Sequence, residues 1–302
     1  MRIKVCHWHS FGGLVDSENW NGALPKEDID IKDGFDALLG YNIITTEFIN
    51  FKGPKLFISG EPLRYLDDFT RDMLHILPEK HIWAYWKGNM EERAFPYGTL
   101  SDFALFKFSE EIKENCNKKR PKKICFINNY KYQGTRECAH DLQSSRDSLV
   151  LEFAKQGVEV DVYGRNWEKS LLNKSTLLIN NGMTYNKLNI LKNYDFIVNF
   201  ENTRYRGYIT EKPYHALYTG TIPIYTCGDK EEILDYLDED IFIEAGFNTP
   251  EEIVEKVCSM SQDEIIEMQL RIANFLKNSK KIRINQTSII SRRIIEKLQF
   301  QP

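Results

Sequence analysis

No stretch of this 302-residue chain reaches the roughly 18 uninterrupted apolar residues that suggest a membrane-crossing helix, so no transmembrane span is predicted. Met1 to Cys6 (MRIKVC) leads directly into strand-like sequence without the long apolar core of a secretory signal, and the chain reads as cytoplasmic. Cysteine is sparse. Its six copies (Cys6, Cys116, Cys125, Cys138, Cys227, Cys258) show no CxxC or Cys/His zinc spacing, and without a secretory signal they read as free thiols. An excess of positive charge is also missing: 40 Lys and Arg against 44 Asp and Glu give −4, which argues against nucleic acid as a partner.

What is present is an ordinary globular composition, 42% hydrophobic and 13% aromatic, over a length that suggests two domains. Ile3–Cys6, Tyr41–Thr45 and Lys55–Ser59 read as strands, with a helical segment expected around Gly34 to Leu39. This alternation predicts a parallel α/β sheet. The charged run Glu110–Lys123 (EEIKENCNKKRPKK) reads as an interdomain linker. Beyond it, the strand Ile124–Ile127, a helix from about Ser145 to Gln156 and the strand Val158–Tyr163 open a second α/β unit. The expected boundaries are 1–118, 119–280 and a C-terminal segment 281–302. In that last segment Lys281, Arg283, Arg292, Arg293 and Lys297 face one acid, Glu296, and Ile289, Ile290, Ile294, Ile295 and Leu298 recur at helical spacing. Such a helix either packs its apolar stripe on the first domain or rests on anionic lipid at a membrane surface.

The most informative stretch runs from Phe196 to Gly228, FIVNFENTRYRGYITEKPYHALYTGTIPIYTCG. It reads as strand, polar loop, helix and strand, with Thr210 as N-cap of a helix starting at Glu211, a break near Gly220, and Thr221–Tyr225 as the returning strand. Lys212 falls in the helix's first turn, where the macrodipole disfavours a cation. Either it reaches solvent beside Glu201 or Glu211, or it meets a bound anion.

Phe200-Glu201-Asn202-Thr203, Gly207-Tyr208-Ile209-Thr210-Glu211-Lys212, Ala216-Leu217 and Gly220-Thr221-Ile222-Pro223-Ile224 together resemble the signature of the α-1,3/4-fucosyltransferases, glycosyltransferase family 10. The resemblance is strong over about residues 120–245 and thin before them. It implies an α/β protein of GT-B type, two Rossmann-like domains facing across a cleft, that moves L-fucose from GDP-fucose with inversion. The acceptor it implies is an oligosaccharide or glycolipid containing N-acetylglucosamine, with O3 the expected hydroxyl. It also implies that Lys212, Asn202 and Tyr208 hold the diphosphate and that Glu211 contacts the donor and stabilises charge on the fucosyl ring. Glu201 would be a supporting or sugar-binding carboxylate. No metal or other cofactor is expected. Metazoan members carry an anchor and stem; neither is expected here, and a bacterial-type enzyme is the expectation.

Such a transfer needs a base for the acceptor proton and positive charge for the departing diphosphate. Glu61, in Ser59-Gly60-Glu61-Pro62 after a strand, resembles the family's acceptor-activating base; Asp67, Asp68 and Glu47 compete with it. Arg146 matches the family's diphosphate-binding arginine, with Arg136 as the alternative. Tyr163–Asn166 and Lys187–Lys192 are candidates for guanine recognition. His7 and His9 lack a third metal ligand at telling spacing, and the DxD-like Asp28–Asp30 and Asp238–Asp240 read as acidic loops. Trp8, Trp20, Trp83, Trp86, Tyr65 and Tyr85 crowd the first domain, as sugar-stacking faces or as core.

Overall fold

A computed structural model describes residues 1–6, 13–16, 18, 34–41, 43–59, 66–78, 81–84, 110–120, 124–129, 142–167, 171–184, 186–204, 208–227, 230–281 and 287–299. The chain divides into two compact units, Met1–Lys107 with Arg283–Pro302, and Phe108–Ile282.

The first unit is built on strands β1 (Arg2–Cys6), β2 (Gly13–Asp16), β3 (Ala37–Tyr41), β4 (Lys55–Ser59) and β5 (Ile82–Ala84), ordered β2-β1-β3-β4-β5. Only the β1–β2 pair is antiparallel. Residues 34–39, expected as helix, instead lead into β3, whose five residues are all buried. ALLGY is a short continuous apolar run, and such a run suits a strand covered on both faces as well as it suits a buried helix. One face packs Ile3, Val5, Leu39, Leu56 and Ile58 against Ile294 and Leu298 of the C-terminal helix Thr287–Gln299. The other packs Leu38 and Phe57 against Phe48 of helix α1 (Thr46–Asn50) and Leu74 of helix α2 (Asp68–Leu74). The C-terminal helix therefore buries part of its apolar stripe in the first unit. Among the described residues no helix is long and apolar enough to cross a membrane.

The second unit opens with helix α3 (Glu110–Cys116) where a linker was expected. Its charged composition hides two inward residues four apart, Ile112 and Cys116, which suffice to seat one helical face. Arg120 completes the anchoring. Its buried guanidinium donates to the carbonyls of Tyr194 (2.8 Å), Gly220 (3.0 Å), Asn115 (2.6 Å) and Thr219 (2.7 Å).

Six parallel strands follow: β6 (Ile124–Ile127), β7 (Val160–Tyr163), β8 (Leu178–Asn180), β9 (Phe196–Val198), β10 (Ile222–Tyr225) and β11 (Ile243–Glu244). Their order, β11-β10-β9-β6-β7-β8, is that of a doubly wound sheet whose direction of travel reverses between β6 and β9. The connecting helices are α4 (Gln143–Lys155), α5 (Lys187–Leu191), α6 (Lys212–Tyr218) and α7 (Lys230–Tyr236). Helices α8 (Pro250–Ser259) and α9 (Gln262–Asn278), each begun by a capping box, finish the unit. The terminal helix of the first unit is then α10. Gly220 ends α6 with φ +66°, and a Cβ there would lie 2.7 Å from Asn115 O, so glycine is required where the chain turns into β10.

Candidate functional site

At a switch point in a doubly wound sheet, loops at the carboxyl ends of neighbouring strands diverge and leave room for a ligand. Here β9 runs into the buried sequence Asn199, Phe200, Glu201. Glu201 has no solvent exposure, yet it is fully supplied with donors. The Thr210 amide donates to its Oε1 at 2.8 Å, Tyr225 OH donates to the same oxygen at 2.8 Å, and the Thr210 hydroxyl lies 2.8 Å from both oxygens. Lys212 Nζ donates to Oε2 at 2.8 Å and to Thr210 Oγ1 at 3.2 Å. One carboxylate thus ties the end of β9 to β10 and to the first turn of α6.

The expected misfit of Lys212 is resolved inside the protein: its ammonium is paired rather than in solvent. Burial works against its charge, but the carboxylates of Glu201 and then Glu211 outweigh it and hold the lysine above its ordinary value, with Arg146 opposing. An ammonium has three donors, and two are used, so one remains for a ligand. Tyr225 is pushed well up, first by burial and then by Glu201, so it stays a donor. The helix starts at Lys212 rather than Glu211, because Thr210 turns its hydroxyl to Glu201 and takes the Lys212 amide at 3.3 Å.

Glu211 precedes that helix. Burial pushes its carboxyl up, but Lys212, Lys187 and His215 together hold it below the ordinary value. Its Oε2 is buried without a hydrogen-bond partner among the described residues, an acceptor left open. Lys187 begins α5, which packs against α6. Burial lowers its pKa, opposed chiefly by Glu211. Arg146, buried on α4, donates Nε to Leu142 O at 3.3 Å, and the Leu142 amide donates to Asn202 O at 3.3 Å. Arg146, Asn202, Glu211 and Lys212 are therefore brought into one neighbourhood of the second unit, together with Lys187. Tyr208, the other residue expected at the diphosphate, is fully buried, at 0% exposure.

Glu61 and Arg136 lie outside the described residues, as do His7, His9, Asp28, Asp30, Trp8, Trp20, Trp86, Tyr65 and Tyr85. The competitors of Glu61 have structural partners: Glu47 pairs with Lys4 at 2.7 Å, Asp67 caps α2 through Thr70 N at 2.8 Å, and Asp68 pairs with Arg71. Each carboxylate of the acidic loop is matched by a cation, Asp238 by Lys281, Glu239 by Lys230 and Asp240 by Arg271. No group of three or more His, Cys, Asp or Glu among the described residues could hold a metal ion. Of the guanine candidates, Tyr163 OH lies 2.8 Å from Tyr194 OH, which in turn donates to Asp161 at 2.6 Å. The backbone beside it is constrained: Gly164 has φ +133°, and a Cβ there would lie 1.8 Å from Asn128 O.

Residues 126–295 match the family model for the C-terminal part of glycosyltransferase family 10 (fucosyltransferase), more than half of the chain. The chain belongs to glycosyltransferase family 10. Among curated proteins, this family 10 chain is similar to the GDP-fucose protein O-fucosyltransferase 3 of Gallus gallus, 32% identical over 128 residues, covering 40% of this chain and 25% of that protein. It is also similar to the 4-galactosyl-N-acetylglucosaminide 3-alpha-L-fucosyltransferase 9 of Mus musculus, 27% identical over 112 residues, 37% of this chain and 28% of that protein. The alignments thus span about a quarter of the length of these relatives. The solved structure of TarM matches at 12% identity with a TM-score of 0.50, over 90% of this chain and 51% of that one. That likeness bears on the fold alone, which is GT-B, and two α/β units built on largely parallel sheets agree with it.

Proposed function

We propose that this family 10 protein is an inverting fucosyltransferase: it transfers L-fucose from GDP-fucose to a saccharide hydroxyl. The observation that carries the reading is the cluster at the carboxyl end of β9, where Lys212 is locked by a fully buried glutamate beside Arg146, Lys187 and the open acceptor of Glu211. In the transfer, the acceptor oxygen attacks the anomeric carbon as the bond from that carbon to the β-phosphate oxygen breaks. The bonding pair leaves with GDP, and the acceptor proton goes to a carboxylate. Lys212, Arg146 and Lys187 offset the charge growing on the leaving diphosphate, electrostatic stabilisation that needs no metal ion. Glu211 accepts a hydrogen bond from the donor or lies against the developing positive charge of the fucosyl ring. The family resemblance assigns proton removal to Glu61. The two relatives named for 3-fucosylation and protein O-fucosylation leave a glycan or a protein hydroxyl as acceptor. O3 of an N-acetylglucosamine-containing glycan is the one adopted here, on the family signature. Incubation with GDP-fucose and a panel of glycan acceptors, with linkage and anomeric configuration read by NMR, tests this. An α-linked product is expected from the β-linked donor. A β-linked product, or neither transfer nor hydrolysis of GDP-fucose with any acceptor, would overturn it.

A further inference from the structure

The carboxylate of Glu201 offers two oxygens with about four acceptor sites between them. Oε1 takes the Thr210 amide and the Tyr225 hydroxyl, each at 2.8 Å, and Oε2 takes Lys212 Nζ at 2.8 Å. The Thr210 hydroxyl, 2.8 Å from both oxygens, fills the remaining site with its single proton. The glutamate is therefore saturated, and it draws one N–H of Lys212 and no more. A second N–H goes to Thr210 Oγ1 at 3.2 Å, so the third is left for a ligand.

Tyr225 differs from the other donors in where it comes from. Thr210 and Lys212 belong to one turn, so their bonds to Glu201 move with the ammonium. Tyr225 stands on β10 and is, among the described residues, the one donor to this carboxylate from outside residues 210–212. Its ring is fully buried and packs edge-on to Phe242, with 6.5 Å between ring centroids. β10 is bonded to the end of β9: Asn199 N donates to Ile224 O and Glu201 N to Thr226 O, both at 3.0 Å. The hydroxyl therefore has a fixed place on the sheet. Without it, Oε1 would stay buried with a partner missing, a loss a carboxylate repairs by turning to the nearest spare donor. That donor is the third N–H of Lys212.

We propose that Tyr225 is a positioning residue: by filling Glu201 Oε1 it limits the glutamate to one N–H of Lys212 and keeps another available to a phosphate oxygen of the bound nucleotide. The proposal rests on the reading that this cluster holds the diphosphate of GDP-fucose. Fully buried, Tyr225 acts through Glu201 and Lys212 rather than on the nucleotide itself. A phenylalanine in its place would keep the packing against Phe242 and give up the control of Lys212.

The test uses Tyr225→Phe in the full chain; Tyr225→Met, which also lacks the hydroxyl, stands in if the phenylalanine variant does not fold. Heteronuclear NMR of the lysine ammonium groups, with the Lys212 signal assigned from Lys212→Ala, reads proton exchange with water in the absence of nucleotide. Exchange several-fold slower in the variant is expected, because the third N–H is drawn to the glutamate. Titration calorimetry with GDP reads the consequence. Affinity should fall by about fivefold in Tyr225→Phe, yet stay within about twofold when the same change is made in Lys212→Ala protein. A tyrosine with a purely structural role would lower the thermal midpoint and leave both readouts alone. Unchanged ammonium exchange, unchanged GDP affinity in a protein that binds GDP, or an equal loss of affinity in both backgrounds overturns the proposal. If the wild type binds no GDP, the function reading fails separately, and ammonium exchange still decides whether Tyr225 governs Lys212.

Discussion

Glu201→Gln is the sharpest perturbation of the buried cluster. The amide keeps the volume but offers only one acceptor oxygen and removes the charge. If that oxygen faces Thr210 N and Tyr225 OH, an NH2 group faces Lys212 Nζ; if it faces Lys212, the other two donors are orphaned. Breaking one side of a buried ion pair costs roughly 3–5 kcal/mol. Glu201 is fully buried but the Lys212 side chain is 15% exposed and can recover some hydration, so the lower end, about 3 kcal/mol, is expected. Urea unfolding of wild type and variant, with m-values compared, measures it. A loss under about 0.5 kcal/mol, the scale of an ordinary surface change, would refute the reasoning. The pH dependence adds a sign. Lys212 titrates above its ordinary 10.5 in the folded protein, so its stabilisation is fully present below 10.5 and is lost as pH rises through the folded value. The gap between wild type and Glu201→Gln should hold below 10.5 and close above it; a gap that widens there would place the stabilisation elsewhere.

Arg120→Met strands four carbonyls in the second unit and should lower stability by about 3 kcal/mol, or about 6–12 °C in thermal midpoint by calorimetry. Lys187→Met should weaken GDP binding by about tenfold, about 1.4 kcal/mol, in titration calorimetry. Because burial lowers the pKa of Lys187, wild-type GDP affinity should begin to fall at a pH below that set by an ordinary lysine, and the variant should lack that limb. Leu298→Ala, at a fully buried position of α10, should destabilise the first unit by about 2–5 kcal/mol in chemical denaturation.

Four strands of the second unit, β6, β7, β9 and β10, were legible as short runs rich in apolar residues, as at Ile124–Ile127 and Phe196–Val198, whereas β8 and β11, of three and two residues, were too short to read. Ala37–Tyr41 was missed for the same reason turned around: its run, preceded by Gly34, carries no period that separates strand from helix. Charge misled at 110–120, where Arg120 counted as linker composition although its guanidinium is the anchor of the segment. Within the site, Lys212 stood out by its conflict with the helix dipole, but its partner was not identifiable from spacing, since Glu201 and Glu211 both lay within reach. The signal pointing to Glu201 is its place at the end of an apolar strand run, where an acid survives only if it is fully hydrogen-bonded.

The donor site is tested most directly by calorimetric titration of GDP into the wild-type chain and into Lys212→Ala. Loss of a charge-assisted contact of about 1.5–3 kcal/mol should weaken GDP binding by about 10- to 150-fold in a variant that still folds. Equal affinity in the two proteins, or no GDP binding by the wild type, would contradict a diphosphate held at Lys212.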